Sequence, residues 1–531
     1  MTAVFQLRTM PNMTAEREII DGLMGDAEAA LGRGAIDKAR ALYKGILAVD
    51  PRNVTALRHL GAIDVNGGEP ARALDLFQAA REIGPVDADL CHAIATALRL
   101  LGRSGLAWSA LNAALEIDPR HAPALYDRAM DQQRRGKMKS ARRTYQQLTE
   151  LGVASFGIWF NRGVVLFRLG NLVEAERWFH AAAQIDPTSP LPLINLGMIY
   201  RIWGYVKEAV TCLEYAVKLA PESPEAHWNL ANALLASGDF QKGFAEYEWR
   251  FKRPGRGEPP RTLPRWTGAP LNGGTIVLGL EQGVGDAVHF IRFAPEIVAR
   301  GGRVVVECQP SLRALLATAS GVSAVIDPGV AVPGATCYAP LMSVPHLLGT
   351  SLETIPKTIP YLSARKSPID LPKNGLRVGL VWRGNPQHEH DQWRSISLDQ
   401  LQPLLSVPNV SFFSLQVGGG QNELMQEPWK NHVVDLSPHL KDFSATAAVV
   451  HELDLVISVD TAVAHVAGAL GKPVWVLIPQ GNDWRWLHGR NDSPWYPTMR
   501  LFRQRRQRNW VPAISGVVRE LTTVAAAAKT A

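Results

Sequence analysis

The sequence predicts an α-helical solenoid followed by a pair of α/β half-domains, and three observations carry that prediction. A glycine recurs every 34 residues from Gly34 to Gly238. The rhythm stops near residue 252, where a stretch rich in Pro, Gly and Arg begins. Beyond it, short and nearly continuous apolar runs alternate with helical segments, the pattern of parallel sheets covered on both faces.

The repeat region holds three series in phase. Gly34, Gly68, Gly102, Gly136, Gly170, Gly204 and Gly238 form the first; Pro51, Pro85, Pro119, Pro187 and Pro221 form the second, with Val153 in the vacant slot; Ala39, Ala73, Ala107, Ala141, Ala175 and Ala209 form the third. Glycine closes the first helix of a pair because it accepts a left-handed backbone, and proline stops the second. Alanine marks where two helices approach closely. Units such as "WFNRGVVLFRLGNLVEAERWFHAAAQIDP" resemble tetratricopeptide repeats, and about seven fill residues 20–252. A single unit cannot bury its own apolar face, so the units are expected to stack into a curved solenoid with a concave groove. Asn161, Asn195 and Asn229 fall 34 apart on the first helices of the last three units. Such a ladder offers donors and acceptors to the backbone of an acceptor protein; the plainer reading is that each Asn bonds within the array.

Composition bounds the function. A chain of 531 residues needs more than one core, and 46% hydrophobic with 20% charged residues is ordinary for folded protein. The formal charge of +7 is small for this length, which gives no reason to expect nucleic acid as a partner. The basic run at Arg503, Arg505, Arg506 and Arg508 reads as solvated surface. Cys91, Cys212, Cys308 and Cys337 lie far apart with no CxxC pair, against a zinc site or a disulfide framework. Neither a signal peptide nor a membrane span is evident, so a cytoplasmic location is expected.

After a linker at 253–272, one α/β half is expected at 273–365, a second at 374–510, and a C-terminal helix or tail at 511–531. In the first half "TIVLGL" reads as a buried strand, "DAVHFIRFAPEIVARGG" as a helix and "RVVVEC" as the next strand; "LRVGLVW", "VSFFSLQ", "HVVDLS", "DLVISV" and "PVWVLIP" are the strands of the second. Ligands of open parallel sheets bind at the carboxyl ends of strands, so the polar residues there are the candidates.

Asp460 and Thr461 follow "DLVISV" at the start of a helix, with His465 one turn on. Free N–H groups and the positive end of the helix dipole favour a phosphate there, with Thr461 and His465 as further donors. Asp460 suits helix capping or a sugar hydroxyl better. In "GLEQGVGDAVHF", Gly283 and Gly285 let backbone approach a ligand, and Asp286 is either an N-cap or a base that accepts a hydroxyl proton. Arg383 and Arg394 can pair with a diphosphate or a carboxylate, while Asn385 and Ser395 add donors. His388 and His390 have no evident third ligand, and no metal is expected. Trp484, Trp486, Trp495 and Tyr496, around Asp483 and Arg485, suit closure of the domain interface better than stacking on a base.

The phrase "SVDTAVAHVAGALGKPVWVL" resembles the donor-binding turn of heptosyltransferase-like glycosyltransferases of the GT-B fold, built from two Rossmann-type halves, and "GVGD" resembles that family's first-half turn. The resemblance implies a catalytic base at Asp286 and donor contacts at Asp460, Thr461 and His465. Ala462 stands where the family has Gly, and "VWRGN...RSI" replaces its lysine-bearing segment, so ADP-heptose is not implied as the donor. Repeats ahead of such a module look like protein glycosyltransferases, including bacterial flagellin glycosyltransferases. Transfer from a nucleotide-sugar co-substrate to Ser or Thr hydroxyls is what this implies, with no tightly bound cofactor. A catalytically silent scaffold, and an enzyme acting on lipid or polysaccharide, are the alternatives. Deleting residues 20–252 is expected to abolish acceptor modification and to spare donor hydrolysis.

Overall fold

The computed structural model describes residues 11–258, 261–372, 375–387, 391–481 and 483–530. His388 and His390 lie outside the described residues. The chain divides into two compact units, Met1–Pro187 and Thr188–Ala531.

The first unit contains five antiparallel helix pairs among the described residues: Pro11–Gly32 with Ile36–Val49, Val54–Asn66 with Pro70–Ile83, Ala88–Leu100 with Ser104–Ile117, Ala122–Arg134 with Met138–Glu150, and Phe156–Arg168 with Leu172–Ile185. The turn glycines Gly34, Gly68, Gly102, Gly136 and Gly170 have φ between 72° and 79°, the left-handed conformation that makes glycine necessary there. The alanine series is the seam of each pair: Ala39, Ala73, Ala141 and Ala175 are fully buried. Glycine shares that seam, since a Cβ on Gly163 would sit 2.7 Å from the Phe179 ring. Those five pairs are a tetratricopeptide-type helical array.

The second unit opens with two more pairs, Leu191–Trp203 with Val206–Leu219 and Pro224–Ser237 with Phe240–Tyr247. Sequence placed the array's end near residue 252; the compact units part at 187/188, and packing explains why. Phe240 and Phe244, each 1% exposed, insert among Trp484, Trp495 and Phe290; the Phe240–Trp495 ring centroids are 5.3 Å apart. The last repeat therefore shares a core with the α/β region, while the sixth pair packs onto the last through Ile194, Ala209 and Leu213.

Two parallel sheets follow. The first comprises β1 (Thr275–Gly279), β2 (Arg303–Glu307), β3 (Val322–Ile326) and β4 (Ala335–Pro340) in the order β3-β2-β1-β4. The second comprises β5 (Leu376–Val381), β6 (Val410–Ser414), β7 (Val433–Asp435), β8 (Leu455–Val459), β9 (Val474–Ile478) and β10 (Met499–Arg503) in the order β10-β9-β8-β5-β6-β7. Register is regular in the second sheet, with Val378 opposite Leu455 and Val456 opposite Val474. β8 and β9 are buried along their whole length, as strands covered on both faces must be. Strand order reverses between β1 and β4 and between β5 and β8, which creates a crevice beyond the carboxyl ends of each pair.

The C-terminal helix Val511–Thr530 lays Ile514, Val517, Leu521 and Ala525 on the second sheet's core. Its window Val511–Ala528 has the length and composition of a membrane span, and a third of that window is buried against the domain, a pattern that a core helix shares. Arg505, Arg506 and Arg508 of the basic run are exposed, whereas the Arg503 guanidinium is tied to the carbonyls of Arg490 and Trp486.

Candidate active site

The two strand-to-helix turns singled out by sequence meet. β1 leads through Leu280–Gly283 into the helix Val284–Phe290, and β8 leads through Asp460 and Thr461 into the helix Ala462–Ala469. Gly285 is where they touch: a Cβ there would lie 3.1 Å from His465 Cδ2 and 3.6 Å from Ala462 Cα. Sequence assigned Gly283 and Gly285 to ligand approach. Gly285 instead admits the neighbouring helix, and the Gly283 N–H donates to Asp286 Oδ2 at 3.0 Å.

Asp286 is held from both sides. Besides Gly283, the Arg485 guanidinium donates to Asp286 Oδ1 at 2.7 Å, and a second arm of Arg485 donates to Asp483 at 2.9 Å. Only 7% of the Arg485 side chain is exposed, so a buried guanidinium clamps two partly exposed carboxylates. Burial raises the Asp286 carboxyl above the ordinary range while Arg485 opposes the rise. Burial would raise Asp483 too, but there the Arg485 contacts win and the carboxyl lies low. Asp460 is pushed up to about 6, first by burial and then by repulsion from Asp483.

The helix Ala462–Ala469 begins at Thr461, and no side chain caps it. Capping by Asp460 is therefore not what the structure contains. The Thr461 hydroxyl pairs with Ser458 Oγ at 2.9 Å, leaving the first turn open. His465 is buried, its Nδ1 3.0 Å from the Tyr496 hydroxyl and its ring stacked on Trp486 at 5.4 Å. Burial, reinforced by the nearby Arg485 cation, pushes its pKa down to about 3, so the imidazole is neutral.

The loop after β5 contributes unequally. Arg394 donates to the Asp460 carbonyl at 3.0 Å, which places a guanidinium at the switch point of the second sheet. Arg383 turns away to Glu423 at 2.5 Å. Ser395 holds the loop: its hydroxyl donates to Asp391 and accepts the Gly384 N–H, both at 2.9 Å. Asn385 accepts the Gln387 N–H at 3.0 Å in a local turn. Arg383, Asn385 and Ser395 thus shape the loop through protein contacts.

The asparagine series is likewise engaged. Asn161, Asn195 and Asn229 each donate to the carbonyl four residues back, at 2.8, 2.9 and 2.9 Å. Asn161 reaches Tyr126 as well, and Asn229 reaches the Glu225 carboxylate. These are the bonds of the plainer reading.

Sequence reasoning named Arg485 and Asp483 only as neighbours of an aromatic cluster. The Arg485–Asp286 contact spans 199 residues, so no local spacing could announce it. Also missed was a buried brace on the first turn. Arg250, 4% exposed, donates to both oxygens of Glu281 at 2.8 and 3.0 Å and to Ser343 at 2.7 Å, while Gln282 donates to the Tyr247 hydroxyl at 3.2 Å. Tyr247 ends the last repeat helix and Arg250 follows it; Glu281 and Gln282 precede Asp286. Trp484, Trp486, Trp495 and Tyr496 are all buried, which is domain closure rather than a stacking platform. Among the described residues no group of three His, Cys, Asp or Glu side chains is arranged to hold a metal.

Comparison with known proteins agrees with this architecture. The model of glycosyltransferase family 9 (heptosyltransferase) matches residues 421–482, which contain Asp460, Thr461 and His465, and tetratricopeptide models match 30–98, 126–190 and 197–238. The chain thus combines tetratricopeptide repeats with a heptosyltransferase-type glycosyltransferase region. Protein FlbA of Caulobacter vibrioides is 27% identical over 524 residues, covering 91% of this chain and 81% of that one. Human protein O-mannosyl-transferase TMTC3 is 24% identical over 192 residues, which are 35% of this chain and 21% of the relative. The solved structure of Pseudomonas aeruginosa pilF aligns with 40% of this chain and 96% of its own, at 17% identity and a TM-score of 0.37.

Proposed function

We propose that the protein is a cytoplasmic, metal-independent glycosyltransferase of GT-B type that moves a sugar from a nucleotide-sugar donor to Ser or Thr hydroxyls of an acceptor protein recruited by the repeats, flagellin or another bacterial surface protein being the kind expected. The observation that carries this reading is the Arg485 clamp: it ties the acid of the first turn to the half that presents an open helix start, an arginine and a neutral imidazole. In the reaction, the acceptor oxygen bonds to the anomeric carbon as the bond to the nucleotide phosphate breaks, and Asp286 takes the hydroxyl proton. Negative charge develops on the departing phosphate. The first-turn amides of Ala462–Ala469, Arg394 and the His465 N–H are preorganised to receive it.

Incubating the purified protein with a panel of nucleotide sugars, and following hydrolysis and transfer, tests this. Turnover is expected for the native chain, with Asp286→Asn slower by about 10²–10⁴-fold and His465→Ala by about 10-fold or more. Equal turnover by all three would remove the assigned roles, and a native chain that turns over none of the panel would favour the silent-scaffold reading.

A further inference from the structure

His289 plays no part in the mechanism above, yet it is fully buried, and its surroundings fix where a proton sits at His465. Tyr496 lies between the two histidines: its hydroxyl is 3.1 Å from His289 Nδ1 and 3.0 Å from His465 Nδ1. The hydroxyl carries one proton and can satisfy only one of these rings as donor. The other ring must donate to it.

Three further contacts decide which. Tyr361 donates its own proton to the Val288 carbonyl at 3.0 Å and accepts from Arg292 at 2.9 Å; its oxygen is 3.3 Å from Tyr496, longer than either histidine contact. His289 Nε2 is sealed in the interior with no partner among the described residues. A buried N–H without an acceptor is the rarer and costlier arrangement, so the His289 proton belongs on Nδ1, where the Tyr496 oxygen accepts it. Tyr496 then donates to His465 Nδ1. Burial holds both imidazoles neutral, one proton each, so the proton of His465 is left on Nε2. That nitrogen has no hydrogen-bond partner among the described residues and lies 3.8 Å from where a Gly285 Cβ would be, beside the open start of Ala462–Ala469.

We propose that His289 and Tyr496 are positioning residues that lock His465 in the Nε2–H tautomer through the chain His289 Nδ1–H to Tyr496 O–H to His465 Nδ1, so that a neutral, pre-aimed N–H faces the donor's phosphate. The tautomer follows from these contacts and the burial of both rings; its use toward phosphate rests on the function proposed above.

The test reads the proton directly. Long-range ¹H–¹⁵N spectra of the full chain labelled with ¹⁵N-histidine, with peaks assigned through His465→Gln and His289→Gln, should show His465 protonated at Nε2 and His289 at Nδ1. Tyr496→Phe keeps the ring and removes the link; His465 should then become a mixture of both tautomers, and kcat/KM for the nucleotide sugar should fall about 10-fold with the acceptor KM unchanged. His465 protonated at Nδ1 in the native chain would overturn the proposal. So would a Tyr496→Phe spectrum unchanged at His465. Correct tautomers in a protein that turns over no nucleotide sugar would instead overturn the proposed function and leave the relay standing.

Discussion

Asp286 is the residue whose environment most constrains the chemistry. Burial lifts its carboxyl above the ordinary range, with Arg485 opposing. As the base of the reaction proposed above, Asp286 would work only when ionised, so the acid limb of the pH dependence of kcat/KM should lie above the usual aspartate value of about 3.9 and disappear in Asp286→Asn. Asp460 supplies a stability prediction of definite sign. Its folded value of about 6 exceeds the value of an exposed aspartate. Native protein therefore binds that proton more tightly than unfolded chain, which favours folding below pH 4; the advantage is lost as pH rises through 6. Asp460→Asn should raise the melting temperature by about 2–4 °C at pH 7.5 and change little at pH 4. Four residues picked from sequence, Asp286, Asp460, Thr461 and His465, lie on the two turns that meet, because the strand-turn-helix pattern that places them is local. Arg485 and Tyr496 could not be read the same way: what they do depends on partners far away in sequence, 199 residues for Arg485 and 207 for the Tyr496–His289 contact.

Among the elements, the repeat helices were the most legible and the loop after β5 the least. Glycines at a fixed interval announce a left-handed turn, and Gly204 and Gly238, at φ 83° and 90°, adopt it as the earlier ones do. Polar residues after a strand announce a site only in general. Whether Arg383 faces a ligand or Glu423 is decided by a partner 40 residues away, and Asp391, which holds Arg394 and Ser395, gave no signal of its own. The helix Phe240–Tyr247 shows how one element can look like a repeat and serve a second core. Phe240→Ala should cost about 3–5 kcal/mol, because the cavity would open among Trp484 and Trp495 as well as within the repeat. Chemical denaturation followed by tryptophan fluorescence would measure it. A loss confined to the repeats would leave the signal of those two tryptophans unchanged.

At the scale of the whole molecule, the division at 187/188 changes what a truncation means. Deleting residues 20–252 removes Phe240, Phe244, Tyr247 and Arg250, and with them the brace on Glu281 and Gln282. Removing one partner of a buried ion pair costs about 3–5 kcal/mol. That deletion should therefore abolish folding and donor hydrolysis together, contrary to the expectation from sequence. A chain starting at Thr188 should fold cooperatively and keep donor hydrolysis while losing acceptor modification. Circular dichroism and a nucleotide-release assay on both truncations would distinguish these outcomes; hydrolysis that survives the longer deletion would show the brace to be dispensable. For anyone wishing to retarget this molecule, the unit boundary draws the line: foreign recognition modules belong upstream of Thr188, since the two repeat pairs behind that point are one compact unit with the two sheets.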